Sequence, residues 1–454
     1  MTTKLKAMAH QLESLKFMKT KKVVFDASDP GTGKTFVEIT DFAQQHKKDK
    51  KAMLVVCPKS LMRAAWANDI RKFAPHLRVS LCYATGRLDS LNAEADVYII
   101  NVDGVKDLLK INSKKFWSKF GRLVIDESTA FKHHTSQRSK AMSKIASKFE
   151  WRRCMSGTPS SNGICDLWHQ YYILDAGKRL GNSFFGFRNA VCTPTQNGPS
   201  AQHIKWTDKP GVEVLVAELV KDITIRHKFE DCVDIPENHQ YALPVSLSAR
   251  HMATYNELAE TSLAIFRETT VTAINAAVLA TKLLQAASGA VYNDEGGYSL
   301  VSTERYEIAL DLVEEREHTI VFYHWEHQLN ELVTEAKKRQ SKKQLGQFAV
   351  WDPDHPQIAD EFQEGKYQVL FAHPQSAGHG LTLTKGTATI WASPTYNLEH
   401  YLQGLKRVHR IGQVSKTETI VLVAEGTVDE KVWTALQDKD AKMTALLKEF
   451  QEAA

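Results

Sequence analysis

A glycine-rich segment near the N-terminus has the residue types and the spacing of a loop that binds phosphate. The sequence SDPGTGKT occupies positions 28–35, between the apolar run at 23–25 and a helical pattern that begins at Phe36. Glycines let backbone N–H groups curl around phosphate oxygens, and the following helix adds its N-terminal dipole. In this pattern the lysine reaches the β and γ phosphates, and the last hydroxyl is placed for Mg²⁺. The spacing therefore predicts an ATP site formed by Gly31, Thr32, Gly33, Lys34 and Thr35, with Thr35 also a metal ligand.

Two adjacent carboxylates follow another apolar run and supply the other groups that phosphoryl transfer needs. The sequence RLVIDE covers positions 122–127, so Asp126 and Glu127 stand where a buried strand is predicted to end. An isolated Asp-Glu pair in this place is more often part of a helix N-terminus than a catalytic site. Downstream of a phosphate loop, however, Asp126 is predicted to hold Mg²⁺ opposite Thr35, and Glu127 to polarise the attacking water. The two segments together predict hydrolysis of ATP.

These groups need strands to carry them, and both halves of the sequence contain short β-rich runs. Stretches with helical periodicity separate the runs, which predicts βαβ units around buried parallel sheets. Between the two series, residues 185–240 are predicted to be irregular and residues 248–290 to form long helices. We therefore predict an α/β fold with lobes at 1–237 and 238–454 and a helical insertion between the strand series. The predicted strands lie at 23–25, 53–56, 79–82, 97–100, 123–125 and 152–155, then at 320–322, 348–350, 369–371, 389–391 and 420–423.

Length, charge and cysteine usage limit the class of protein. The 454 residues exceed one ordinary core and suit two domains. The formal net charge of +5 permits nucleic-acid binding without requiring it. The six cysteines include no CxxC pair, and no apolar run is long enough to span a membrane. We therefore expect a reducing cytoplasm, no structural zinc and no membrane association.

Seven segments resemble, in the right order, the motifs of the Swi/Snf-type DNA translocases, which belong to superfamily two of the helicase-like ATPases. The resemblance runs from about residue 9 to residue 435, nearly the whole chain. It implies two RecA-like, doubly wound parallel-sheet lobes that share one ATP site. The matching segments are the phosphate loop, AHQ at 9–11, CPKSL at 57–61, DEST at 126–129, SGTP at 156–159, SAGHGLTLT at 376–384 and QGLKRVHRIGQ at 403–413.

The last of these segments can be aligned in two frames. The sequence HRIG at 409–412 resembles the start of a DEAD-box RNA helicase signature, but Gln413 follows where that family has arginine. When Gln403 takes the first position instead, Arg407 and Arg410 fall where both families carry their paired arginines. The second frame is preferred because both arginines then have a counterpart.

The resemblance assigns roles to individual residues. Arg407 and Arg410 would be supplied by the second lobe as arginine fingers, so that hydrolysis requires both lobes. Gln11 would read adenine, and Gly380 would complete the nucleotide site. Contacts to DNA would come from Lys59, Ser60, Asn101 and Ser376, and coupling of DNA binding to hydrolysis from Ser156, Gly157, Thr158 and Gln403.

One departure from the family pattern concerns coupling. Ser128 and Thr129 stand where most relatives have a small residue followed by histidine, a form similar to a compact phage and bacterial branch. This departure puts the link between DNA binding and hydrolysis in question, but not hydrolysis itself.

The predicted function is a DNA-stimulated ATPase that translocates on double-stranded DNA independently of its sequence and displaces DNA-bound structures or a bound protein. We expect a monomer that uses ATP and Mg²⁺ in the cytoplasm of a bacterial cell or a phage-infected host. The first alternative is a strand-separating or branch-migrating helicase, disfavoured because residues 190–300 show no aromatic hairpin that could split strands. The second is a nucleotide-dependent clamp without turnover. The aromatic residues Phe184, Phe185 and Phe187 are predicted to pack against the lobe rather than to stack on bases.

Overall fold

The chain divides into two compact units. The structure, a computed structural model, describes residues 7–196, 204–268, 273–293, 297–377 and 381–453. Unit 1 comprises Met1–Asp234 and Lys439–Ala454, and unit 2 comprises Ile235–Asp438. Gly380, one of the predicted nucleotide-binding residues, lies outside the described residues. Within the described ranges, no helix combines the length and the apolar character that crossing a membrane requires.

Unit 1 is built on a seven-stranded parallel sheet with one separate antiparallel hairpin. The strands are β1 (Val23–Asp26), β2 (Ala52–Cys57), β3 (Val79–Cys82), β4 (Val97–Asn101), β5 (Phe120–Asp126), β6 (Trp151–Met155), the hairpin β7 (Cys192–Gln196) and β8 (Ile204–Asp208), and β9 (Thr224–Ile225). Their order in the sheet is β3-β4-β2-β5-β6-β1-β9. Because β5, β6 and β1 are neighbours and parallel, the segments that follow them lie side by side at the carboxyl ends of the strands.

Helices enclose this sheet, as the burial of its central strands shows. Every residue of β2 and β5 is buried, which requires cover on both faces and explains why these strands are nearly continuous apolar runs. The helices of unit 1 are α1 (Ala9–Met18), α2 (Lys34–Asp49), α3 (Lys59–Leu61), α4 (Asn68–Phe73), α5 (Arg87–Asn92), α6 (Val105–Leu108), α7 (Lys114–Ser118), α8 (Gln137–Ala146), α9 (Leu167–Asp175), α10 (Phe184–Val191), α11 (Val212–Val220) and α12 (Phe229–Cys232).

Unit 2 contains a six-stranded parallel sheet and a second antiparallel hairpin. The strands are β10 (Asn238–Val245), the hairpin β11 (Ala290–Tyr292) and β12 (Tyr298–Leu300), then β13 (Thr319–Phe322), β14 (Phe348–Val350), β15 (Val369–Ala372), β16 (Ala388–Trp391) and β17 (Thr417–Ala424). The sheet order is β10-β17-β16-β13-β15-β14. The helices are α13 (Ala249–Glu268), α14 (Ala273–Ala287), α15 (Glu304–Glu314), α16 (Glu326–Ser341), α17 (Gln357–Gln363), α18 (Pro374–Ala377), α19 (Leu398–Val408) and α20 (Val428–Ala453).

The predicted fold class is confirmed: two α/β lobes with parallel sheets, and long helices between the two strand series. All the strands predicted from apolar runs are present. The strand β10 was not predicted, because it lies at the edge of its sheet and its first residues are polar and largely exposed. The prediction that residues 185–240 are irregular is wrong. They contain α10, the β7–β8 hairpin, α11, β9 and α12, and Trp206 on β8 contradicts the expected lack of an aromatic hairpin.

The C-terminal helix α20 is shared between the two units. Its residues from Lys439 onward group with unit 1, whereas the sequence-based division counts them with the second lobe. Contacts within unit 1 give the reason, since Lys439 Nζ lies 3.4 Å from Asn162 Oδ1 and Gln451 Nε2 donates to Asp231 Oδ2 at 2.8 Å. The apolar residues Met443, Leu446, Leu447 and Phe450 of this segment are buried. The compact first unit is therefore discontinuous in sequence.

Four buried charges join α2 to the central strands of unit 1. Arg122 on β5 donates to Glu38 Oε1 at 2.7 Å and lies 2.8 Å from Asp41 Oδ2. Arg153 on β6 lies 3.6 Å from Glu38 and 3.7 Å from Asp41. Burial lowers the pKa of Arg153 to about 10, against the opposing effect of Glu38. Two cations and two anions thus balance each other, and removing one would leave an uncompensated charge inside the fold.

We predict that Arg122→Met lowers the free energy of unfolding by about 3–5 kcal/mol, because Glu38 and Asp41 remain buried with too little positive charge. Urea unfolding followed by tryptophan fluorescence measures the change. Lys22→Met is the matched control, since Lys22 pairs with Glu150 at an exposed site and its loss should cost less than about 1 kcal/mol. Equal effects of the two substitutions would contradict the assigned role of the buried network.

Candidate active site

The phosphate loop takes its shape from two glycines in the left-handed region. The φ angles of Gly31 and Gly33 are 91° and 86°. A Cβ atom at Gly33 would lie 2.4 Å from Gln11 Nε2, and one at Gly31 would lie 3.0 Å from Phe229 Cε2. Glycine is required at Gly33 both for the conformation and for the space. Helix α2 begins at Lys34, so the loop opens onto a helix N-terminus, where phosphate oxygens are favoured.

A carbonyl group of the loop holds helix α1. Thr32 O accepts a hydrogen bond from Gln11 Nε2 at 3.2 Å and lies 2.8 Å from His10 Nε2. Gln11 Oε1 accepts from the backbone N–H of Met8 at 3.0 Å. Gln11 therefore lies against the phosphate loop and fixes its position relative to α1. Its predicted reading of adenine stays a prediction.

The segment after β9 supports the loop from another side. Asp29 Oδ1 accepts from Arg226 Nη1 at 2.7 Å, and its Oδ2 accepts from the N–H of Phe229 at 2.9 Å. Ser28, which replaces the usual first glycine, accepts from the N–H of His227 through its Oγ at 3.0 Å. Sequence reasoning missed these partners, because about two hundred residues separate them from the loop. Serine is tolerated here because its hydroxyl has a defined acceptor role.

The predicted phosphate ligands are all located at this loop. Lys34 Nζ donates to Ser28 O at 2.7 Å and to Asp29 O at 3.1 Å, so its ammonium group lies over the loop. Thr35 occupies the first turn of α2 and is partly exposed. An ammonium group, the free N–H groups of a helix N-terminus and a hydroxyl form a donor set that fits a polyphosphate.

Asp126 ends β5 and is held by two donors. Its Oδ2 accepts from Trp66 Nε1 at 2.9 Å, and its Oδ1 accepts from the N–H of Glu127 at 3.1 Å. Trp66 is fully buried in a π-helical segment, Met62–Ala67, and such segments are frequent at functional sites. Burial raises the pKa of Asp126, while the Trp66 indole and the Lys34 charge act in the opposite direction. Sequence reasoning missed the bond between Trp66 and Asp126.

Glu127 follows Asp126 in a strained conformation. Its φ of 54° lies in the left-handed region, which non-glycine residues rarely adopt. Backbone strain of this kind persists only where the surrounding structure imposes it, and it clusters at functional sites. The outlier therefore supports a specific function for the carboxylate that sequence analysis assigned to the attacking water.

The segment after β6 packs against the phosphate loop. Ser156 N donates to Asp26 O at 3.1 Å, and a Cβ atom at Gly157 would lie 2.5 Å from Pro30 Cδ. Thr158 N donates to Ser156 Oγ at 3.1 Å. The predicted coupling residues of unit 1 thus lie beside the loop that binds phosphate, at the neighbouring strand end.

A buried side chain links the carboxylates to this coupling segment. Ser128 Oγ donates to Gln170 Oε1 at 2.6 Å, and Gln170 Nε2 donates to Pro159 O at 2.8 Å. Ser128 and Gln170 are both completely buried. Sequence reasoning missed Gln170, which lies on α9 outside every recognised motif. Ser128, which had appeared only as a departure from the family pattern, is one end of a physical connection between two motifs.

The residues expected to contact DNA lie in both units. Lys59 and Ser60 are exposed at the start of α3, directly after β2, and Asn101 ends the neighbouring strand β4. Asn101 Oδ1 accepts from Arg87 Nη2 at 2.9 Å. Ser376 lies in unit 2, where its Oγ donates to a backbone carbonyl three residues earlier at 3.0 Å. The structure thus brings three of the four residues to the carboxyl ends of neighbouring strands in unit 1.

In unit 2, the paired arginines converge on one backbone carbonyl. Arg407 Nη1 and Arg410 Nη1 donate to Leu381 O at 3.2 and 2.7 Å. Arg407 Nε also donates at 2.8 Å to the carbonyl of Gln403, which is buried. Burial lowers the pKa of Arg410, although the high reference value of arginine keeps the group charged. The two arginines that the preferred alignment frame pairs therefore lie close together in the structure.

Two other residues of this segment bind backbone. His409 Nε2 lies 3.0 Å from the carbonyl of Pro236, at the start of unit 2. Gln413 Nε2 donates to the carbonyls of Thr384 and Gly386 at 3.1 and 3.0 Å. The histidine that begins the DEAD-box likeness and the glutamine that departs from it thus have structural partners of their own.

Comparisons with known proteins identify the family of the chain. A family model for the SNF2-related domain matches residues 10–290, and one for the helicase conserved C-terminal domain matches residues 304–412. Putative protein p41 of Acyrthosiphon pisum secondary endosymbiont phage 1 is 29% identical over 439 residues, which cover 92% of each chain. The putative ATP-dependent helicase/translocase YwqA of Bacillus subtilis is 24% identical over 91% of this chain. The SWI/SNF-related chromatin regulator subfamily A-like protein 1 of Xenopus tropicalis is 27% identical over 91% of this chain.

The chain matches these relatives to different extents. It covers 45% of the Bacillus protein and 42% of the Xenopus protein, so it spans less than half the length of either. The Sulfolobus solfataricus SWI2/SNF2 ATPase core, solved in complex with dsDNA, superposes with a TM-score of 0.45 at 20% identity, covering 98% of this chain and 95% of the other. The first family model alone covers more than half of the sequence. The chain therefore belongs to the SNF2-related family of helicase-like proteins and is an ATP-hydrolysing enzyme.

Proposed function

We propose that the protein is a DNA-stimulated ATPase that moves along double-stranded DNA and displaces what is bound there. The observation that carries the proposal is the arrangement of three segments at the carboxyl ends of neighbouring strands in unit 1. There the phosphate loop follows β1, the coupling segment follows β6, and the carboxylates Asp126 and Glu127 stand at the end of β5. This arrangement combines a phosphate site with the groups that hydrolysis needs, and it joins them through packed segments.

Each residue of unit 1 has a separate task in this proposal. Lys34 neutralises the β and γ phosphates, and Glu127 orients the water that attacks the γ phosphate. The hydroxyl of Thr35 and the carboxylate of Asp126 are hard oxygen ligands, which fit Mg²⁺. When bound, Mg²⁺ would neutralise charge on the phosphates. The Trp66 hydrogen bond keeps Asp126 in one orientation, so the ligand is positioned before the metal arrives.

Arg407 and Arg410 are the proposed contribution of the second lobe to hydrolysis. Their guanidinium groups would stabilise the negative charge that develops on the transferred phosphoryl group, as arginine fingers do. Since they belong to unit 2, turnover would depend on the approach of the two lobes. DNA bound across both lobes would favour that approach, which explains why DNA should stimulate hydrolysis.

Binding to DNA is proposed to use the backbone rather than the bases. The exposed positions of Lys59 and Ser60 suit contacts to phosphates, which position a protein without reading sequence. Asn101 and Ser376 are proposed as further contacts. The similarity to a putative helicase/translocase supports this part of the proposal. The likeness to a phage protein favours action inside a bacterial cell or an infected host, and we propose a monomer.

A strand-separating helicase is the second candidate, and one observation favours it. The β7–β8 hairpin carries Trp206 within unit 1, so an aromatic hairpin is present after all. A clamp without turnover is disfavoured, because Ser128, one of the two residues that depart from the family pattern, has a defined connection through Gln170.

We predict that Trp66→Phe lowers kcat about tenfold or more, because Asp126 loses a hydrogen bond that a charged acceptor makes strong. Steady-state ATPase measurements test this. Trp117→Phe is the matched control, since its indole donates to the backbone carbonyl of Ile111 at 2.9 Å and not to the site. If both variants hydrolyse ATP at the wild-type rate, Asp126 does not depend on Trp66.

We predict that Lys34→Ala and Glu127→Gln both reduce turnover to below about one hundredth of the wild-type rate. They should differ in binding, because Lys34 contacts phosphates in the ground state whereas Glu127 acts on the water. Glu127→Gln should therefore retain ATP and bind DNA well in equilibrium assays. Glu94→Gln, at a highly exposed carboxylate, is the control. Normal hydrolysis by Glu127→Gln would refute its assignment.

We predict that blunt double-stranded DNA stimulates hydrolysis more than single-stranded DNA or RNA, and that stimulation falls steeply with salt, as phosphate neutralisation requires. The protein should displace a triplex-forming third strand only with ATP, and Lys34→Ala should not. Efficient unwinding of a tailed duplex with single-strand-specific stimulation would indicate the helicase instead. Retained DNA binding without any stimulation would indicate the clamp.

A further inference from the structure

A cluster of aromatic side chains surrounds one arginine on the surface of unit 1. The guanidinium carbon of Arg188 lies 3.9 Å from the centroid of the Trp206 ring, 5.3 Å from that of Phe185 and 5.7 Å from that of Phe184. We call Phe184, Phe185, Arg188 and Trp206 the aromatic platform. Helix α10 supplies three of its residues and strand β8 the fourth, so secondary structure fixes its geometry.

The platform is not simply part of the core. Phe187 is buried, as predicted, but Phe185 is 60% exposed and Ile204, on the same face of β8 as Trp206, is 46% exposed. The prediction that all three phenylalanines pack against the lobe is therefore wrong for Phe185. A water-exposed aromatic ring beside a stacked arginine marks a surface that can receive a flat ligand.

Basic side chains lie close to the platform. No carboxylate among the described residues forms an ion pair with Arg188, and its Nε has no hydrogen-bond partner there. His134 packs on Phe184 with ring centroids 4.1 Å apart. Burial lowers the pKa of His134, and the charges of Lys140, His133 and Arg188 lower it further.

The carboxylate at the end of β8 has hydrogen-bond partners of its own. Asp208 ends β8, two residues after Trp206, and its Oδ2 accepts from the N–H of Ile164 at 3.2 Å. Its Oδ1 lies 3.4 Å from Cys192 Sγ. No ion pair joins Asp208 to Arg188 among the described residues, so the guanidinium group can pair with an external anion.

We propose that the aromatic platform binds the bases of unpaired DNA, with Arg188 and its basic neighbours taking the phosphates. Stacking requires access to the flat face of a base, which a closed duplex hides and an unpaired strand exposes. Aromatic rings combined with arginine are the means by which proteins hold single strands irrespective of sequence. The proposal rests on the proposed function and adds to it a site where the motor meets a fork or a displaced strand.

Affinity for a forked duplex with oligo(dT) arms, compared with a blunt duplex of the same paired sequence, tests the proposal. The full-length wild-type protein should prefer the fork. In Trp206→Ala and in Phe185→Ala, the ratio of fork affinity to blunt-duplex affinity should fall about tenfold. Trp206→Phe should keep most of the preference because it retains a ring, and Arg188→Lys should lose part of it because lysine cannot stack. Leu88→Ala, an exposed apolar residue on α5, is the matched control and should keep the wild-type ratio.

Photo-crosslinking gives an independent readout. Arms that carry 5-iodouracil should crosslink to peptides containing Phe185 or Trp206 in the wild-type protein. An unchanged affinity ratio in both alanine variants, together with crosslinks elsewhere, would overturn the proposal and leave the platform as a surface for an acidic protein segment. If blunt duplex stimulates the wild-type protein but the variants keep the fork preference, only this inference is refuted. If no DNA stimulates hydrolysis by the wild-type protein, the proposed function itself is refuted.

Discussion

The ion network between α2 and the strands β5 and β6 imposes the constraint on which the site of unit 1 depends. Arg122 and Arg153 meet Glu38 and Asp41 in the interior, where a charge without a partner is strongly destabilising. Helix α2 cannot rotate or slide on the sheet without separating these charges. Because the phosphate loop immediately precedes α2 and Asp126 ends β5, we infer that the same network sets the position of the loop relative to the carboxylate.

The loop itself is held by elements that are distant in the sequence. Helix α1 binds the carbonyl of Thr32, and the segment after β9 binds Asp29 and Ser28. Left-handed glycines give a loop its curvature but leave it many conformations when unfolded, so such a loop requires external contacts to stay in one shape. The contacts from Arg226 and His227 meet that requirement. They also join the phosphate site to the stretch of chain that leads to unit 2.

The candidate ATP site and the aromatic platform have different structural origins. The candidate ATP site lies at the carboxyl ends of strands in the parallel sheet, where the fold presents loops in any protein of this architecture. The aromatic platform lies on α10 and β8, which do not belong to that sheet. The translocase and the strand-separating helicase would share the first part and differ in the second. Because of this hairpin, the structure separates the two candidate functions less clearly than the sequence motifs do.

The sequence by itself determined the fold class, the phosphate loop and the carboxylates Asp126 and Glu127. These features depend on spacings of a few residues, and such spacings directly become geometry where a strand ends. It did not reveal edge strand β10, whose first residues are polar and largely exposed. Only the tertiary structure decided the roles of Gln170, Trp66 and Arg226, whose partners lie 42, 60 and 197 residues away. Their hydrogen bonds gain strength from burial. The folded chain creates that burial, and the residues adjacent in sequence do not.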